Sequence, residues 1–151
     1  EHNRGGQHWF SMYIKLNESK TSGTLFLYDS ASGSQNTGGN YIKQLVKSIQ
    51  KKYNLTVYRN KVKSQIKSNS ECGMYSMYFI LSMLEGDNCN NDNSCIDKNI
   101  KDDSGSLYIW NTYFNKSDNK IPDTLVANYR DIFFNNRCNT FYPDDLETYV
   151  G

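Results

Sequence analysis

The sequence predicts one α+β domain over residues 1–151. Three observations carry that prediction. Short runs of strand-forming and aromatic residues gather near the N-terminus, a lysine-rich segment has apolar residues at helical spacing, and a long apolar stretch follows position 72. The length suits a single core, and twelve Tyr and seven Phe supply the bulk to fill it.

In chain order, residues 8–16 (HWFSMYIKL) and 24–28 (TLFLY) read as two strands, and the polar NESKTSG between them as a hairpin turn. Residues 30–40 are a loop by composition. Tyr41, Ile42, Leu45, Val46, Ile49 and Tyr53 then share one face of a helix, with Lys43, Lys47, Lys51 and Lys52 mostly off it. LTVYRN and KVKSQI read as one or two short strands. Residues 72–84 (CGMYSMYFILSML) are apolar nearly all round, which predicts a helix buried on most sides. The Asn- and Asp-rich 85–106 reads as a surface loop, and SLYIWNTYF as a short strand or helix. A last helix starts near Pro122 and Asp123, with Leu125, Val126, Tyr129, Ile132 and Phe133 as its apolar stripe.

Composition excludes several functions. A formal charge of +1 gives no case for a nucleic-acid binder driven by bulk charge. Arg59, Lys61, Lys63 and Lys67 form a local basic run that reads first as a solvated face and second as a contact for DNA or an acidic partner. No apolar run approaches the length of a bilayer span, so no membrane partner is expected. The chain opens at Glu1 with neither a signal segment nor a Met, so residues upstream in the full-length protein are expected to be missing from it. Cys72, Cys89, Cys95 and Cys138 lack zinc-ligand spacing to either His2 or His8; no metal and no cofactor is expected. Cys89 and Cys95 could close a local loop as a disulfide if the compartment were oxidising.

One placement is unusual. Cys72 stands at the start of the most hydrophobic helix and is followed by Gly73. A helix N-terminus offers free N–H groups and a positive dipole end, which favour a thiolate over a thiol. Gly73 leaves room for a peptide to approach the sulfur. A nucleophilic thiol needs a base, and His8, at a strand end and shielded by Trp9, is the candidate. The base needs an acceptor for its Nδ1 proton; Asp29, closing the neighbouring strand, falls beside His8 if the two strands pair. The Cys72 N–H and the side chain of Gln65 are candidate donors to an oxyanion.

The ordered set of HW, YDS, Gln65 and SECG opening an apolar helix resembles the adenovirus-type and SUMO-deconjugating cysteine proteases. The resemblance is strongest to their homologues in large DNA viruses and related mobile elements. It covers residues 7–85 well and 120–135 loosely. It implies a papain-like fold with permuted His–Asp–Cys order, a mixed central sheet flanked by helices, and the nucleophile at the N-terminus of a buried helix. By that resemblance His8 is the catalytic base, Asp29 its orienting acid and Cys72 the nucleophile. Gln65 and the Cys72 N–H form the oxyanion hole, and Trp9 and Gly73 bind substrate. Gln65 stands seven residues before Cys72, the adenovirus-type spacing. Relatives carry a substantial segment before the catalytic His that builds one side of the substrate groove, whereas only seven residues precede His8.

The function so implied is a cysteine endopeptidase that cuts viral capsid or core precursors after Gly-containing sites. It would act in the virion or in the host cytoplasm or nucleus, and would not be secreted. The alternatives are an isopeptidase that removes SUMO- or ubiquitin-like modifiers, an inactive scaffold that binds Gly-rich tails, and an acyltransferase on the same fold.

Overall fold

The computed structural model describes residues 8–31, 39–65, 71–89, 105–115 and 121–130. Its centre is a three-stranded mixed sheet in the order β1-β2-β3. Strand β1 (Ser11–Leu16) runs antiparallel to β2 (Ser22–Tyr28), with Ser11 opposite Tyr28 and Leu16 opposite Gly23. Asn17 makes the turn between them. Its Oδ1 accepts from the N–H groups of Thr21 and Ser22 at 3.1 and 3.2 Å, and Lys20 takes a left-handed φ of 55°. The expected hairpin is therefore present.

Helix α1 (Gly39–Lys52) carries the chain over the sheet to β3 (Asn54–Arg59), which pairs parallel with β2. A parallel neighbour demands such a crossover. Strand β2 is thus central and covered on both faces, which explains its unbroken LFLY run. Leu25 and Leu27 point to one side, onto Ile42, Val46 and Leu55. Phe26 and Tyr28 point to the other, onto Met74, Tyr75, Phe79 and Trp110. The apolar stripe of α1 is narrower than its spacing suggests: Ile42 and Val46 are buried, whereas Tyr41 and Leu45 face solvent.

Residues 61–65 form no strand, contrary to expectation. Asn60, 1% exposed, ends the ladder by turning its side chain onto neighbouring main chain, and the segment folds back so that the N–H groups of Ser64 and Gln65 reach Ser30 O. The remaining basic candidate, Lys67, lies outside the described residues.

Helix α2 (Cys72–Cys89) is 18 residues long and overruns the loop expected from position 85. Tertiary contacts hold the extra turn against the Asn- and Asp-rich composition. Gly86 lies against the backbone of Gly105, and Asp87 accepts from Tyr13 Oη and Lys15 Nζ, each at 2.6 Å, and from Ser106 N at 3.0 Å. Met77 and Leu84 are exposed, so the helix is buried on fewer sides than its sequence implies. Helix α3 (Gly105–Ile109) runs into a π-helical turn, Trp110–Phe114, which resolves the strand-or-helix ambiguity of that segment. The turn buries two aromatic rings in the core: Trp110 lies 5.3 Å from Phe26, and Phe114 lies 4.9 Å edge-on to Phe79. Helix α4 (Asp123–Arg130) follows Pro122 and buries Val126; Ile132 and Phe133 lie outside the described residues. Among the described residues no helix is long and apolar enough to cross a membrane.

Candidate active site

The antiparallel register sets the site. Because Ser11 faces Tyr28, the residues before β1 lie beside those that leave β2. Asp29 is the first of the latter and is 2% exposed. Its Oδ1 accepts from Ala31 N at 2.9 Å, the turn an Asp makes with the backbone two residues on. The same oxygen receives His8 Nε2 at 2.8 Å. The motif order predicts Nδ1 on this acid; the structure has Nε2 there instead. With Nε2 on the acid, Nδ1 faces away from Asp29.

A carboxylate this buried needs its surroundings held. The Asp29 N–H donates to Asn60 Oδ1 at 3.0 Å, and the Asp29 carbonyl accepts from Asn60 Nδ2 at 2.8 Å. Nothing in the sequence reading singled out Asn60. An Asn directly after a strand parallel to the one carrying the acid is the signal that was available.

Cys72 is the first residue of α2 and is 9% exposed. The preceding Glu71 carbonyl accepts from Tyr75 N at 3.0 Å, so the helix starts as the sequence predicts. The Glu71 side chain accepts from Arg130 of α4. Tyr75 donates its hydroxyl to Ile121 O at 3.1 Å and to the Asp123 carboxylate, and burial, with that carboxylate beside it, pushes the phenol well above its ordinary range. The Cys72 end of α2 is therefore tied to the start and the end of α4.

Trp9 joins the two halves. It is 59% exposed, and a methyl built on Gly73 would stand 3.7 Å from its Cδ1. The residue after His8 thus lies against the residue after Cys72. That spacing is ordinary van der Waals contact, so the fold itself has room for a side chain at position 73.

Gln65, the candidate oxyanion donor, is buried. Its N–H and that of Ser64 both donate to Ser30 O at 3.0 Å, and its Oε1 accepts from Ser30 Oγ at 3.4 Å. It therefore belongs to the same corner as Asp29, one residue further along. Among the described residues no three His, Cys, Asp or Glu side chains cluster as metal ligands. Cys95 and Cys138 lie outside the described residues, and with them the Cys89–Cys95 pairing; so does His2.

The sequence profile of the Ulp1 protease family, C-terminal catalytic domain, matches residues 2–109. The chain belongs to that family. It is a cysteine protease domain of the Ulp1 type, as the HW, YDS and ECG segments imply. A protein of Acanthamoeba polyphaga mimivirus described as a thiol protease is 34% identical over 94 residues. The match takes in 57% of this chain and 29% of that protein, so the chain corresponds to less than a third of its relative. No solved structure matches. The Ulp1-family match includes β1, β2, α1, β3, α2 and α3, and His8, Asp29, Gln65 and Cys72 with them; α4 lies beyond it.

Proposed function

We propose that this Ulp1-family domain is a thiol endopeptidase in which His8, Asp29 and Cys72 act in the order His–Asp–Cys. The observation that supports the reading best is the 2.8 Å bond between His8 Nε2 and a buried Asp29 that lies across the strand end, with Trp9 lying on Gly73 beside the thiol. Asp29 holds the ring by Nε2 and leaves Nδ1 to take the Cys72 proton. The sulfur then attacks the scissile carbonyl, and the developing oxyanion accepts from the Cys72 N–H and the Gln65 amide. Collapse breaks the C–N bond, and the leaving amine takes the proton from His8. Water, deprotonated by His8, hydrolyses the thioester and restores the thiol.

A substrate with Gly at the cleavage site suits an approach to the sulfur along the face where Trp9 lies against Gly73, since a bulky side chain there would meet the exposed indole. By the resemblance to proteases of large DNA viruses, that substrate is a viral structural precursor, cut during virion maturation in the particle or in the host cytoplasm or nucleus. The test offers a capsid precursor and a ubiquitin-like modifier conjugate side by side. Cleavage of the precursor alone, lost in Cys72→Ala and His8→Ala and kept in His2→Ala, is the expected result. Cleavage of the conjugate alone replaces the substrate with an isopeptide-linked modifier, and turnover by Cys72→Ala overturns the mechanism.

A further inference from the structure

Asn60 is the least expected polar residue in the core. It is 1% exposed and lies just past β3, on the far side of β2 from β1. Its side-chain amide makes three hydrogen bonds, all to main chain. It accepts from Asp29 N at 3.0 Å and donates to Asp29 O at 2.8 Å and to Val62 O at 3.0 Å. Its own N–H reaches Leu27 O at 3.4 Å. The side chain thus takes over where the parallel ladder stops, and pairs with Asp29 as one more peptide of β3 would.

Burial of an amide is unfavourable unless its groups are paired. A buried Asn that spends both its N–H donors and one acceptor site on one neighbouring residue and the start of the next turn restrains that residue's φ and ψ. The residue fixed is the one whose carboxylate meets His8. The turn that Asn60 opens also carries Ser64 and Gln65 back to Ser30 O. The same side chain therefore anchors the acid and starts the segment that holds Gln65.

We infer that Asn60 is a positioning residue: it aims Asp29 at His8, and acts on the Cys72 thiol only through that pair. The inference rests on the His8–Asp29–Cys72 reading above. It concerns the placement of one carboxylate, and a misplacement of about 1 Å can cost on the order of 100-fold in rate in other enzymes.

The test needs no identified substrate. Iodoacetamide is offered to the native chain and to the variants at pH 6.5 and at pH 9, and the rate at Cys72 is read by peptide mapping. A thiol primed by imidazole reacts at both pH values, whereas an unprimed one reacts mainly at the higher. Asn60→Ala and Asn60→Ser are expected to lower the pH 6.5 rate about tenfold relative to the pH 9 rate while keeping the native circular dichroism spectrum, as a displaced general base would. His8→Ala is the control for the site itself. If His8→Ala leaves the ratio unchanged, the thiol–imidazole reading falls and this inference falls with it. If His8→Ala changes the ratio and both folded Asn60 variants keep the native one, Asn60 serves stability alone and the positioning role is overturned while the site stands. If only one Asn60 variant folds, its ratio decides. Loss of the fold in both makes Asn60 a general structural residue, which also overturns the inference.

Discussion

Arg130 donates from both Nε and Nη2 to one carboxylate oxygen of Glu71, at 3.2 and 3.0 Å, and so ties the last residue of α4 to the residue before Cys72. The bond joins a segment outside the Ulp1-family match to the point where the proposed nucleophile begins its helix. The Arg130 side chain is 41% exposed, so the pair contributes about 0–1 kcal/mol to stability. Its effect should appear in activity instead. Arg130→Glu is expected to slow hydrolysis of a Gly-containing fluorogenic peptide several-fold with little change in melting temperature. Adding Glu71→Arg should recover part of that loss. Failure of the double reversal to recover any rate would show that the ion pair does not hold the Cys72 turn.

Gly73 separates function from fold. A methyl there finds ordinary contact distance to Trp9, and Ala is the better helix former by about 0.5–1 kcal/mol. Gly73→Ala should therefore leave thermal stability equal or raised. The methyl narrows the space beside the sulfur, so cleavage should fall, mainly through a higher KM for substrates with a residue larger than Gly at the cleavage site. A variant as active as the native chain on such substrates would show that they do not approach the sulfur along the face formed by Trp9 and Gly73.

Asp87 gives stability an acid limb. Burial alone would push its carboxyl up, but hydrogen bonds from Lys15, Tyr13 and Ser106 outweigh burial and hold it below the usual carboxylate range. A carboxyl lowered on folding stabilises the fold above its unfolded value, and that contribution is lost as pH falls through the folded value. Chemical denaturation from pH 7 downward should show stability declining below the ordinary carboxylate range. Asp87→Ala should flatten that decline and cost about 1–3 kcal/mol at pH 7, since it leaves the Tyr13 hydroxyl and the Ser106 N–H without an acceptor.

Gly86 and Gly105 allow α2 and α3 to touch backbone to backbone. A methyl on Gly86 would stand 2.7 Å from Ile109 Cγ1 and 2.8 Å from Gly105 O, and the carbonyl has little freedom to give way. Gly86→Ala should cost about 2–3 kcal/mol, read as a lower denaturation midpoint at unchanged slope. A neutral result would mean that the two helices can part without loss.

The hairpin, the amphipathic α1 and the Cys72 helix were legible because each is written in local periodicity and turn chemistry. The order of short motifs names His8, Asp29, Cys72 and Gln65 as candidates; the structure pairs His8 with Asp29 and lays Trp9 against Gly73, a contact that the motif order does not predict. What local pattern misjudged was decided at a distance. The extra turn of α2 depends on Asp87 meeting Tyr13 and Lys15, more than 70 residues earlier. The strand expected over 61–66 gives way, through 65, to a turn dictated by Asn60. That His8 meets Asp29 through Nε2 and not Nδ1 is set by the ring's orientation in the fold, which local sequence does not encode.

The crossover from β2 through α1 to β3 carries a consequence for biosynthesis. While the ribosome has released only the first strands, the carboxylate of Asp29 has no fixed bearing, because its anchor at position 60 lies on the far side of a helix yet to form. The sulfur follows later still, and the guanidinium that braces its turn emerges last of all. The Asp29–Asn60 pairing therefore waits for the whole β2–α1–β3 unit, and the Glu71–Arg130 pair waits for α4.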